Sequence, residues 1–181
     1  MKYFAFLCML CFVFSCKGPE ARHPKKRKTG SFIKESVERN KKLLAQEEKL
    51  IQEIMVQDSI HIYQSSANGS WYYYDIELKE QDYLPQTDDL VSLRYDLRTL
   101  DNDTIYSQED IGIVTYKVDK QELFPGLRNS IKLLKEREKA TFLFPSSLGY
   151  GYHGDNKKIG VNTPLKSTIE ILKIEKQKDS I

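Results

Sequence analysis

The chain has 181 residues, 40% of them hydrophobic and 30% charged, with 28 Lys+Arg against 26 Asp+Glu and a formal net charge of +2. A balance this close to neutral creates no global field for nucleic acid, and nucleic acid is not expected as a partner. Three cysteines and three scattered histidines offer no metal-ligand spacing, so neither a metal nor another cofactor is expected.

Residues 1–16 read as a lipoprotein signal peptide outside the fold. Lys2 is a short positive start, and Phe4 to Phe14 is an apolar run too short to span a bilayer. Val13-Phe14-Ser15-Cys16 places an apolar residue three before, and a small residue one before, a cysteine. That pattern resembles a bacterial lipoprotein cleavage site, with Cys16 as the lipidated mature N-terminus. Cys8 and Cys11 lie in the removed segment, so no disulfide is expected within the mature chain. Removing the segment takes away Lys2 alone and leaves a net charge of +1. Residues 17–30 hold Lys17, Arg22, Lys25, Lys26, Arg27 and Lys28 against Glu20, with Gly18, Pro19 and Pro24 opposing regular structure. They read as a basic flexible tether beside anionic headgroups, where a lipid chain and a basic patch together give stable anchoring.

Residues 31–64 form an N-terminal helical segment, with one helix expected from Ser31 as N-cap to about Asp58. Ile33, Val37, Leu44, Ile51 and Ile54 recur at helical spacing, while Asn40 and Glu47 interrupt the stripe. A helix of about 28 residues is a rod of about 40 Å. Both packing along the following domain and homodimer formation stay open, with the half from Leu43 onward expected to pack. Ser65 to Ser70 is turn-rich and marks the boundary of a domain spanning 71–177.

Beyond that turn the period changes to two. Strands are expected over Trp71–Leu78, Leu90–Leu97, Gly112–Val118, Ala140–Phe144 and Leu165–Ile174, with a hairpin turn at Leu100–Thr104 leading into Ile105-Tyr106. Leu127, Ile131 and Leu134 give one short amphipathic helix ending near Lys135. A sheet with one short helix to cover it leaves a shallow apolar pocket at one end. Thr141 to Gly154, TFLFPSSLGYGYHG, runs from a strand stopped by Pro145 into a loop in which glycines alternate with Tyr150 and Tyr152. Rigid aromatic loops on a β scaffold are common binding sites. His153 reads as a hydrogen-bonding loop residue.

Together these motifs resemble the FKBP-type peptidyl-prolyl isomerases over Trp71 to Lys176. The resemblance rests on Leu123-Phe124-Pro125-Gly126-Leu127, Lys139-Ala140-Thr141 to Pro145, Leu148-Gly149-Tyr150-Gly151, the spacing from Tyr150 to Ile159, and Glu170 to Glu175. Upstream, Tyr95, Tyr106, Val114 and Tyr116 match pocket and strand positions. The layout is similar to gliding-motility-associated FKBP-type lipoproteins of Bacteroidetes-like bacteria.

The resemblance implies an α+β fold: an FKBP-like curved antiparallel sheet wrapped around one short amphipathic helix, preceded by a long N-terminal helix. It implies a peptidyl-prolyl cis-trans isomerase, anchored to a membrane and facing the periplasm, with proline-containing polypeptides as substrates. Tyr95, Tyr106, Phe124 and Tyr150 would be catalytic, the Phe124 N–H and the Tyr150 hydroxyl donating to substrate carbonyls. Ser107, Val114, Tyr116, Leu123, Leu127, Ile159 and Ser167 would bind substrate. Leu127 stands where the family usually has Trp, Ser107 where it often has Asp, Ser167 where it has an aromatic, and Gly160-Val161 where it has a proline pair. The runner-up is a non-catalytic chaperone or binding module that keeps the pocket.

Overall fold

The computed structural model describes residues 29–79 and 82–177. Cys16, the signal peptide and residues 17–28 of the tether expected over 17–30 lie outside the described residues, while Thr29 and Gly30, expected in the tether, already belong to a helix. The chain divides into compact units over Met1–Val37 and Glu38–Ile181. Of the first, the described residues 29–37 are helical, the opening turns of helix α1, Thr29–Gln57. Ser31, expected as the N-cap, lies inside the helix, because the helical backbone starts two residues earlier.

The second unit is built on one antiparallel sheet. Its strands are β1 Gln64–Ser65, β2 Trp71–Ile76, β3 Leu90–Tyr95, β4 Leu97–Arg98, β5 Thr104–Tyr106, β6 Val114–Lys117, β7 Lys139–Phe144 and β8 Leu165–Glu175. Their order is β1-β2-β7-β8-β3-β6, with the β4–β5 hairpin attached through β4 to β8. The turn at Ser65–Ser70 closes a hairpin: Gln64 and Ser65 pair with Tyr72 and Trp71, so the sheet begins ahead of Trp71. The strand expected from Leu90 to Leu97 is divided between β3 and β4, and β5 returns beside β4.

Both faces of β7 are buried, and each has its own helix. Ala140, Phe142 and Phe144 point to one side, where Leu127, Ile131 and Leu134 cover them in the main core. Leu127 and Ile131 belong to helix α3, Pro125–Ile131, which starts where Pro125 supplies a helical φ without a wasted N–H. On the other side Leu143 packs with Ile51 and Leu100, flanked by Ile54, Met55 and Trp71. The second half of α1 is thus the packed half, on the face opposite α3. Glu47, read in the sequence as a break in the stripe, is buried at 6% exposure and is part of that contact.

Two short elements carry no periodic signal and were not expected. Helix α2, Gln108–Ile111, is set by a capping box in which the Ser107 side chain and the Asp110 backbone, and the Asp110 side chain and the Ser107 backbone, satisfy each other. A 3₁₀ turn, Ser146–Leu148, follows β7 directly.

Candidate functional site

The end of β3, the end of β5 and the turn after β7 converge, and each delivers a tyrosine. Tyr95 closes β3, Tyr106 closes β5, and Tyr150 sits between Gly149 and Gly151 beyond the 3₁₀ turn. With Leu97, Ile111, Asp155 and Lys157 they line an open cavity of about 290 Å³. The cavity is more polar at its rim than the apolar pocket the sequence suggested, because Asp155 and Lys157 share it with the rings.

Phe124 forms the link between this cavity and the core. It caps α3 in an extended conformation, and its ring centroid lies 5.4 Å from that of Tyr150, 6.4 Å from Tyr95 and 5.9 Å from Phe144. These are distances at which aromatic pairs attract. Gly126, two residues on, permits this packing. A Cβ there would lie 2.8 Å from both the Leu148 carbonyl oxygen and the Phe144 ring.

Asp155 organises the opposite rim. One carboxylate oxygen accepts a 2.6 Å hydrogen bond from the Tyr106 hydroxyl. The other accepts the N–H groups of Lys157 and Ile159, both at 2.8 Å, while the Asp155 N–H donates to the Ile159 carbonyl. The loop from Asp155 to Ile159 is therefore tied to itself and to β5. Gly154 is at φ +65°, and a Cβ there would meet the Ile159 oxygen at 2.4 Å, so only glycine leads the chain into this loop. Lys158 covers the outside, with Nζ 4.8 Å from the Tyr106 ring centroid and donating to the Ile105 carbonyl.

The electrostatics follow from these contacts. Burial pushes the Asp155 pKa upward, but the hydrogen bonds from Tyr106, Ile159 and Lys157 outweigh it and the net shift is below the usual carboxylate value. The bond to Asp155 raises the Tyr106 hydroxyl, with burial adding to it. Burial pushes Tyr95 up to about 12, and it raises Tyr150, to which Asp155 adds a smaller effect. At neutral pH the cavity thus holds neutral phenols beside one carboxylate. Tyr150 is half-buried, and among the described residues its hydroxyl has no protein partner.

The residues expected to be catalytic and those expected to bind substrate are placed differently. Tyr95, Tyr106 and Tyr150 reach the cavity directly. Leu127, at 0% exposure, and Ile159, at 3%, lie in the hydrophobic cluster continuous with it, and Leu123 and Val114 pack against that cluster. Tyr116 is a core residue whose hydroxyl accepts the Asp119 N–H at 3.2 Å. Ser167 is fully buried and donates to the Asp96 carbonyl at 2.7 Å, and the Ser107 hydroxyl is engaged in the α2 cap. None of the expected substrate-binding residues Ser107, Val114, Tyr116, Leu123, Leu127, Ile159 and Ser167 lines the cavity itself, nor does Phe124.

Leu97, Ile111, Lys157 and above all Asp155 are lining residues that sequence reasoning missed. The Gly154-Asp155-Asn156 run carried a signal, since an Asx-turn residue after glycine is a recognisable loop clamp.

The fold is similar to that of a solved peptidyl-prolyl cis-trans isomerase from Pseudomonas syringae pv. tomato str. DC3000. The TM-score is 0.57 at 19% identity, over 75% of this chain and 96% of that one. Residues 81–172 match the model of the FKBP-type peptidyl-prolyl cis-trans isomerases, and the chain belongs to that family. It is also 33% identical over 110 residues to a probable FKBP-type peptidyl-prolyl cis-trans isomerase, FkpA, of Neisseria meningitidis serogroup B (strain ATCC BAA-335 / MC58). That match takes in 60% of this chain and 39% of the relative's length.

Proposed function

We propose that the protein catalyses cis-trans rotation about X-Pro bonds of polypeptides, with the proline seated in the cavity between Tyr95, Tyr106 and Tyr150. Family membership supports this reading, and the observation that carries it is the half-buried, unpartnered Tyr150 hydroxyl at an aromatic cavity. X-Pro rotation has a barrier of about 18–20 kcal/mol, set by loss of amide resonance, and proceeds over tens of seconds or more. A site lowers it by favouring the twisted amide over the planar one. Apolar rings around the proline and fixed donors to the flanking carbonyls achieve this with no proton transferred. Tyr150 supplies one donor. The Phe124 N–H, which makes no hydrogen bond among the described residues, supplies the second.

Acceleration of a proline-limited refolding reaction by the purified chain is the expected result. A well-folded chain that leaves the refolding rate unchanged overturns the proposal. Ser107 held in a helix cap, Leu127 as a buried side chain smaller than the family's usual Trp, and Ser167 buried and bonded to the Asp96 carbonyl favour the rival reading, a binding module that holds unfolded chains. That module would bind the refolding protein without accelerating it.

The finer assignment places the enzyme on a membrane through a lipid at Cys16, facing the periplasm and assisting exported motility or secretion components. Val13-Phe14-Ser15-Cys16, the basic run after it and the helix before the catalytic domain support this layout. Cys16→Ser is expected to move the protein from the membrane to the soluble fraction, and unchanged fractionation refutes the anchor.

A further inference from the structure

The strongest polar contact between α1 and the rest of its unit falls on the turn that carries Tyr150. Glu47 is 6% exposed and Ser146 is 3% exposed. The Ser146 N–H donates to one Glu47 oxygen at 2.9 Å, and the Ser146 hydroxyl donates to the other at 2.7 Å. Ser146 is the first residue of the 3₁₀ turn, and its carbonyl accepts the N–H of Gly149 at 3.0 Å and of Gly151 at 2.9 Å. Those are the two residues that flank Tyr150. Every polar group of Ser146 is thus engaged, two toward Glu47 and one toward the glycines.

Packing does not duplicate this connection. A cavity of about 140 Å³, bounded by Leu43, Leu44, Glu47, Ser147 and Tyr152, lies beside the contact. The side chains of α1 leave the turn incompletely filled there, and the two hydrogen bonds from Ser146 are the polar contacts beside that space. One turn further along α1, Ile51 instead grips Leu143 by apolar contact. A buried carboxylate is costly unless its oxygens are satisfied, and among the described residues Ser146 supplies the partners of both Glu47 oxygens.

We infer that Glu47 is a positioning residue for Tyr150: α1, outside the segment matched to the family, braces the turn that holds the hydroxyl at the cavity. The inference rests on the isomerase reading of that cavity. Loss of the brace lets Ser146 and then the Gly149–Gly151 segment shift, and small displacements of an oriented group lower rates steeply.

The test is a double-mutant cycle in the full chain, with kcat/KM for a proline peptide measured on folded protein. Glu47→Ala is expected to lower kcat/KM about tenfold. In a Tyr150→Phe background the same change is expected to cost little more, because it acts through the missing hydroxyl. Ile51→Ala, which removes packing from the same helix, is expected to lower stability while leaving kcat/KM at the wild-type value. Hydrogen exchange at the Gly149 and Gly151 amides is expected to accelerate in Glu47→Ala and not in Ile51→Ala. Unchanged kcat/KM in Glu47→Ala, or an equal loss with and without Tyr150, overturns the inference. If Glu47→Ala fails to fold, Glu47→Gln gives the same readouts at smaller amplitude. If the wild-type chain accelerates nothing, the isomerase reading has failed, and exchange at the two glycines alone decides whether the brace exists.

Discussion

Asp155 shows how one residue can order a rim without taking part in bond making. Its two oxygens gather the Tyr106 hydroxyl, the Lys157 N–H and the Ile159 N–H. A group whose folded pKa is depressed contributes fully above its unfolded value and loses that contribution as the pH falls through the folded one. The unfolded reference for Asp155 is 3.8, so its hold on the rim is complete above about pH 4. Activity is therefore expected to fall along an acid limb only below pH 3.8, and Asp155→Asn to lower kcat/KM a few-fold at pH 7 and to lack that limb. An acid inflection well above 4, or an unchanged profile in the variant, contradicts the assignment. On the alkaline side Tyr95, Tyr106 and Tyr150 all titrate above their usual value of 10.0, so no phenol is lost below that pH. The glycine preceding Asp155 was visible in the sequence, but its partner Tyr106 is 49 positions away, and no local pattern joins them.

At the level of elements, β3 and α3 were legible because their burial follows the period of the sequence. Val91, Leu93 and Tyr95 are buried on alternate positions of β3, and Leu127, Ile131 and Leu134 are all at 0% exposure. Helix α2 was illegible because four residues complete barely one turn, and only the Ser107–Asp110 cap defines it. Glu47 misled for another reason. Its partner lies 99 residues away, so a carboxylate on an apolar stripe read as an interruption when it is a fastening. The approach of α3 to β7 makes an element-level prediction. Gly126→Ala forces a Cβ against the Leu148 carbonyl and the Phe144 ring, and overpacking of this kind costs about 1–3 kcal/mol. Chemical denaturation is expected to show that loss, together with reduced activity through the adjacent Phe124. Wild-type stability would mean that α3 can lift from the strand without penalty.

Over the Glu38–Ile181 unit, one sheet carries a helix on each face, α3 among the main-core residues and the second half of α1 on Leu143. The α+β class, the antiparallel sheet and the long first helix could all be read from the change of period near residue 65. The second covering helix was left open, because an interrupted stripe does not say what it faces. The cavity was foreseeable as a consequence of incomplete coverage, whereas its mixed rim was not, since Asp155 and Lys157 arrive on a loop without periodicity. What this arrangement does to an X-Pro bond is read by proline-limited refolding, followed with the wild-type chain and with Tyr150→Phe. The wild-type chain is expected to accelerate refolding in proportion to its concentration, and Tyr150→Phe, equally stable, to do so about tenfold less well. A stable wild-type chain with no effect, or a Tyr150→Phe chain as fast as wild type, would contradict the isomerase reading.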